Sequence, residues 1–172
     1  MAKTSPGLVV ADAGPLIHLD ELSALDVLSD YTAVLVPNAV WIEVHHHRPQ
    51  ALRQDNIKLV RRSAPVSEKV NVITALYTLH HGEREALSLC CENGINLLIT
   101  DDTAARLAAK SLNIAAHGTL GLLIRAVRQQ LRTPSDVLAL LAAIPQQTTL
   151  HIRPSLLNDV VARVKAEWES EV

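Results

Sequence analysis

The sequence predicts an α/β protein with a mainly parallel sheet covered by helices on both faces. Two patterns carry that prediction. Short apolar runs alternate along the chain with longer segments of helical periodicity, the order that places crossover helices between parallel strands. The apolar runs are continuous rather than alternating with polar residues, as strands buried on both faces require. Composition agrees: 48% of the 172 residues are hydrophobic and the formal net charge is −2, so the chain can build a core and is not of the disordered class.

In chain order, Leu8 to Ala11 reads as a buried strand ending at Asp12, with Gly14-Pro15 as the turn behind it. Ala33 to Val36 is a second strand, stopped by Pro37, and Asn38 is placed to cap the helix after it. Ile57 to Val60 is a short strand. Val70 to Leu79 has helical spacing, and Gly82 opens a further helix that ends at Asn93-Gly94. Asn96 to Thr100 is a strand, Asp102 to Leu112 a helix, Ile114 to Ala116 a last short strand, and Thr119 to Leu131 a helix. Thr133-Pro134 and Pro145 punctuate the remainder of the chain. Pro154 begins a helix, over about 154–170, with Leu156, Leu157, Val160, Val161, Val164 and Trp168 on one apolar stripe. With no repeat, low-complexity tract or long linker, residues 1–172 read as a single domain.

Several classes are excluded. Aromatics are 2% and Phe is absent, which argues against recognition of bases by stacking. Cys90 and Cys91 are neighbours in a helix, with neither disulfide nor zinc spacing, as expected of a reducing, cytoplasmic setting. Asp12 and His18 interrupt the apolar stretch from Gly7 to Leu19, so it does not read as a signal-peptide core, and no run reaches the roughly 18 apolar residues of a membrane span. Gly-x-Gly-x-x-Gly and Gly-x-Ser-x-Gly are missing. His45-His46-His47 and His80-His81 lack zinc-site geometry and fit solvated helix ends better. Arg125, Arg128 and Arg132 share one helix face, either an ordinary solvated surface or a basic stripe for RNA phosphates.

Acids are the candidate functional groups. Two strands end in them, at Asp12 and at Asp101-Asp102, and ligands of parallel sheets bind at strand carboxyl ends. Asp after a strand also serves as a helix cap, which suits Asp102 with Arg106 four residues on. Glu43 lies in the apolar helix Val40-Trp41-Ile42-Glu43-Val44, on either an exposed strip or a cleft. Glu83 shares a helical line with Ala86, Leu87 and Cys90, whereas Glu85 aligns with Leu89 and Glu92; Glu83 also fits a first-turn acid in the helix dipole. Two carboxylates about 4 Å apart repel by about 4 kcal/mol at an effective dielectric near 20, so acids gathered together must take up protons or a cation. Oxygen donors favour Mg²⁺, Mn²⁺ or Ca²⁺, and Mg²⁺ or Mn²⁺ suits phosphodiester hydrolysis.

Four segments carry a family resemblance. Val9-Val10-Ala11-Asp12-Ala13-Gly14-Pro15-Leu16-Ile17 resembles the opening strand of PIN domains, the VapC-like branch in particular. Gly82-Glu83-Arg84-Glu85-Ala86-Leu87 resembles that branch's Gly-Glu-x-Glu-Ala helix start. Leu97 to Asp102 is similar to its late strand, and Gly118-Thr119-Leu120-Gly121-Leu122 to the segment after it. The resemblance spans about 8–131. It implies a three-layer α/β/α PIN-like nuclease in which Asp12, Glu43, Glu83 and Asp101 hold one or two Mg²⁺ or Mn²⁺ ions, with Glu85 an alternative to Glu83 and Asp102 able to share or replace Asp101. It further implies an endoribonuclease toxin with an RNA substrate, a small antitoxin partner and often a homodimer. The alternative is a PIN fold whose site has decayed, kept to bind protein or RNA.

Overall fold

Asp12 and Asp101 stand at the ends of adjacent strands, and the sheet order explains why. The computed structural model describes residues 7–168. Its strands are β1 (Leu8–Ala11), β2 (Ala33–Pro37), β3 (Leu59–Arg62), β4 (Leu97–Ile99) and β5 (Ala115–His117), in the order β3-β2-β1-β4-β5 with every pairing parallel. From β1 the chain first builds outward through β2 and β3, then returns to place β4 on the other side of β1. That reversal opens a crevice beyond the carboxyl ends of β1 and β4. The β1–β4 pairing runs Val10 to Leu98 and Ala11 to Ile99, and the Asp12 amide extends it by donating to the Ile99 carbonyl at 2.8 Å.

The helices are α1 (Ala13–Glu21), α2 (Asn38–His47), α3 (Glu68–Thr74), α4 (His81–Asn93), α5 (Thr103–Ser111), α6 (Thr119–Arg128), α7 (Pro134–Gln147) and α8 (Pro154–Trp168). Successive strand residues face opposite sides, which sorts the core into two layers. Val9, Ala11, Val34 and Val36 pack with Leu16, Leu19, Leu122, Leu141 and Ile144 from α1, α6 and α7. Val10, Leu35 and Leu98 pack with Val70, Ala86, Leu87 and Ala108 from α3, α4 and α5. Each fully buried Leu, Ile or Val contributes about 1.5–3 kcal/mol from removal of its side chain from water. The result is the expected three-layer α/β/α fold.

Several local expectations are corrected. Gly14-Pro15 is not a turn: it lies in the first turn of α1, where Pro sacrifices an N–H that has no helical partner anyway. Pro37, not Asn38, is the cap residue of α2. The third strand sits two residues later than read, at Leu59–Arg62, and α3 stops at Thr74 rather than Leu79. The helix read to Leu131 ends at Arg128. Thr133-Pro134 opens a helix instead of interrupting one: Thr133 and Asp136 form a reciprocal capping box, Pro134 occupies its first turn, and Pro145 is tolerated in its last. In the C-terminal stripe, Val164 is buried but Leu156 is exposed. Residues 169 and 170 lie outside the described residues. Gly94 ends α4 in the left-handed conformation at φ 61°, where a side chain is costly.

Candidate active site

The crevice predicted by the sheet order is a cleft of about 370 Å³. Asp12, Glu43, Glu83, Asp101 and Asp102 all line it, so residues spread over 90 positions of sequence meet at one rim. Glu85 does not. Its Oε2 accepts the Ala39 amide at the start of α2 at 2.8 Å, and its Oε1 meets His81 Nε2 at 3.1 Å. Glu83 is thus the α4 acid on the cleft.

Four of the acids are tied to helix N-termini, whose unpaired amides and positive dipole ends favour carboxylates. Asp12 is the N-cap of α1, and its Oδ1 accepts the Ala13 amide at 2.9 Å. Glu83 accepts the His80 amide through Oε2 at 2.8 Å at the start of α4. Asp102 caps α5 by accepting the Ala105 amide at 2.8 Å. Asp101 accepts the Thr119 amide at the start of α6 at 2.7 Å. Glu83 and Asp102 each serve a helix end and also face the cleft. No ion pair links Asp102 to Arg106 among the described residues. Glu43 is exposed at the cleft mouth.

Charge in this cleft is expensive. Burial pushes the Asp12 carboxyl up from 3.8 to about 6, against the Ala13 amide and the Thr100 hydroxyl, while repulsion from Glu43 and Asp102 adds to the rise. Glu83 is raised from 4.5 to about 7, chiefly by burial, with the His80 amide opposing and repulsion from Asp12 and Asp102 adding. Asp101 goes the other way. Burial would raise it, but hydrogen bonds from His18 and Thr119 prevail and hold it below its ordinary value.

Three partners of these acids were not legible in the sequence. The Thr100 hydroxyl, fully buried, donates to Asp12 Oδ2 at 2.9 Å. The Thr119 hydroxyl donates to Asp101 Oδ2 at 2.6 Å. His18 Nδ1 lies 2.7 Å from the same oxygen; since Asp101 is ionised, that nitrogen carries the proton. His18 sits one helical turn after Gly14 on α1, a spacing the sequence showed without indicating its partner. His80 and His151 also line the cleft.

The donor set is all oxygen, suited to a hard divalent ion. Among the described residues, no three acidic, histidine or cysteine side chains are gathered closely enough to cage a cation unaided. An open site fits nonetheless: Mg²⁺ keeps several waters and binds through one or two carboxylates plus substrate phosphate. Glu83 Oε1 and Asp102 Oδ2 accept no hydrogen bond among the described residues and remain available. Asp101 is the least available, with three donors on its two oxygens.

The basic stripe has a structural use. Arg125 holds Asp30 through both terminal nitrogens, at 2.9 and 2.6 Å, and stacks over the Tyr31 ring. Arg132 grips Asp26 with two hydrogen bonds, and Arg128 meets Glu167. No described helix is long and apolar enough to cross a membrane.

A family model described as a PIN domain matches residues 8–166, nearly the whole of the described chain. No curated protein matches. PIN domains are generally nucleases and typically use divalent metal ions. The parallel sheet, the crevice beside its first strand and the acids at that crevice agree with the match, and the chain belongs to the PIN-domain family.

Proposed function

We propose that the protein is an Mg²⁺- or Mn²⁺-dependent endoribonuclease that hydrolyses RNA phosphodiester bonds. One observation carries this reading: Asp12 and Glu83 are buried in the same cleft, and both resist ionisation. A divalent cation offsets that penalty, and two carboxylates poised to lose their protons near neutral pH are ready to receive it. Asp12 and Glu83 would hold the ion directly, with Asp102 reaching it through one of its waters. Glu43 adds negative charge at the mouth, and Asp101 orients the end of β4 and the ring of His18. A bound Mg²⁺ or Mn²⁺ would supply an activated water and charge neutralisation for the leaving oxygen. Thr100 fixes the Asp12 carboxylate, and the segment at Thr149, Leu150 and His151 walls the cleft. Its position is set by the Thr149 amide and hydroxyl, both donating to Glu21.

The test is cleavage of single-stranded and structured RNA by the purified protein with Mn²⁺ or Mg²⁺. Activity lost in Asp12→Asn and Glu83→Gln supports the reading; an inactive wild type across metals and substrates refutes it. The VapC-like motifs at Gly82–Leu87 and Gly118–Leu122 favour a cytoplasmic toxin that dimerises and is restrained by a small antitoxin. Growth arrest on expression, absent in Asp12→Asn, is the expected result. A second reading, a PIN domain that binds without cutting, draws on the lack of a ready-made three-acid cage among the described residues and on the saturated Asp101. Calorimetric titration with Mn²⁺ separates the two, since a decayed site takes up no ion.

A further inference from the structure

A second cleft of about 640 Å³ adjoins the acidic one, and the two share Asp101, Leu150 and His151. They are halves of one groove with opposite character. The second half is lined by Arg106 from α5, His117 from β5 and Arg153 just before α8, all exposed. Arg106 Nη1 lies 3.5 Å from the point where a Cβ on Gly118 would stand, and Asp101 Oδ1 lies 2.5 Å from that same point. The guanidinium therefore begins the basic half directly beside the acids. Neither Arg106 nor Arg153 makes an ion pair among the described residues, whereas Arg125 and Arg132 are bound to Asp30 and Asp26. Asp101 and Asp159 are the acids on this lining, and Asp101 is already held by Thr119 and His18. Partial burial of the ring, then the Arg106 and Arg125 guanidiniums, keep the His117 imidazole below the ordinary range.

We infer that Arg106 and Arg153 form a phosphate-binding subsite, which seats the backbone of a single-stranded polynucleotide next to the phosphate presented to Asp12 and Glu83. The inference rests on the nuclease reading for its orientation along the groove. The charge complementarity is specific to this half: the acids repel a polyanion, and the two arginines beside them attract it with or without a cation in the acidic half. A net charge of −2 over the whole chain makes a local anchor necessary.

The experiment is fluorescence anisotropy with a dye-labelled single-stranded RNA of about 12 nucleotides, in EDTA so that binding alone is read, from 50 to 200 mM salt. One phosphate contact to a single strand is worth about 0.7 in the slope of log K against log salt. The Arg106→Ala, Arg153→Ala double variant should therefore lower the slope by about 1.4 and weaken binding about 25-fold at 0.1 M salt. Arg62→Ala, at the far edge of the sheet on β3, should change little. A double variant that binds like the wild type, or an Arg62→Ala loss of equal size, overturns the subsite; so does a wild type that binds no RNA. Cleavage by the wild type in Mn²⁺ is scored separately. Binding that depends on the two arginines without any cleavage sustains the subsite and removes the nuclease reading, while cleavage unaffected by the double variant does the reverse.

Discussion

Neutralising the buried acid at the end of β1 should make the metal-free protein more stable, and the effect should grow with pH. The perturbation is Asp12→Asn, which preserves shape and lets Oδ1 still accept the Ala13 amide, while the Thr100 hydroxyl rotates to accept from the new amide. The Asp12 carboxyl is raised from 3.8 to about 6, so the folded state holds its proton more tightly than the unfolded chain does. Its contribution is fully favourable below the unfolded value and is lost as pH rises through the folded one. That loss amounts to about 3 kcal/mol above pH 7 and about half of it at pH 5. Asn does not titrate and escapes the penalty. At about 2–4 °C per kcal/mol for a chain of this size, Asp12→Asn should melt some 6–12 °C higher than wild type at pH 8, with roughly half that gain at pH 5. Thermal melts in EDTA at the two pH values test it. Added Mn²⁺ should reverse the order: at 1,000 times its Kd it raises the wild type by about 4.1 kcal/mol, more than the advantage of about 3 kcal/mol held by a variant that does not take up the ion. An Asp12→Asn protein that melts lower than wild type at pH 8 in EDTA, or shows no dependence on pH, would refute the account of a cleft burdened by buried charge.

Glu83→Gln should abolish Mn²⁺ uptake in calorimetry, whereas Glu85→Gln should bind normally and lose only about 1 kcal/mol of stability from its weakened hydrogen bond to Ala39, read by urea unfolding. Thr100→Val leaves Asp12 Oδ2 without its buried donor, which should cost about 1–3 kcal/mol in unfolding and weaken Mn²⁺ binding. Gly118→Ala brings a methyl to 2.5 Å from Asp101 Oδ1 and 3.3 Å from the Thr100 carbonyl; the displaced carboxylate should cost about 1–3 kcal/mol and reduce cleavage. Ile144→Ala, in the core under α7, should cost about 2–5 kcal/mol with cleavage at permissive temperature retained.

The reach of each interaction decides how much of the fold and the cleft could be read in the residues alone. Leu8–Ala11 and Ala33–Val36 were legible because a strand buried on both faces must be apolar throughout, and Asp12, Glu83, Asp101 and Asp102 because they come after such strands or open a helix; Glu43, in the middle of α2, stood out only as an acid in an apolar helix and through the family resemblance. Helix α1 was hidden by Gly14-Pro15, whose turn-forming habit is overridden where the first helical turn leaves amides unpaired. Helix α7 was hidden in the same way behind Pro134 and Pro145. The choice between Glu83 and Glu85 turned on an amide 46 residues away, and Thr100 reached Asp12 across 88. Arg125 and Arg132 find Asp30 and Asp26 across 95 and 106 residues. Periodicity records which way a side chain points on its own element; it holds no information on what waits opposite.

All five strands run the same way, so the molecule has two ends that tolerate change differently. The chain enters β1 at Gly7 and Leu8, beside the Asn93–Leu97 turn, on the rim opposite the acids. Affinity tags, fluorophores and surface tethers attached at that rim leave the groove open to a polymer. Residues 150–153 and the first turns of α8 border the groove instead, so an insertion placed there would stand at its mouth.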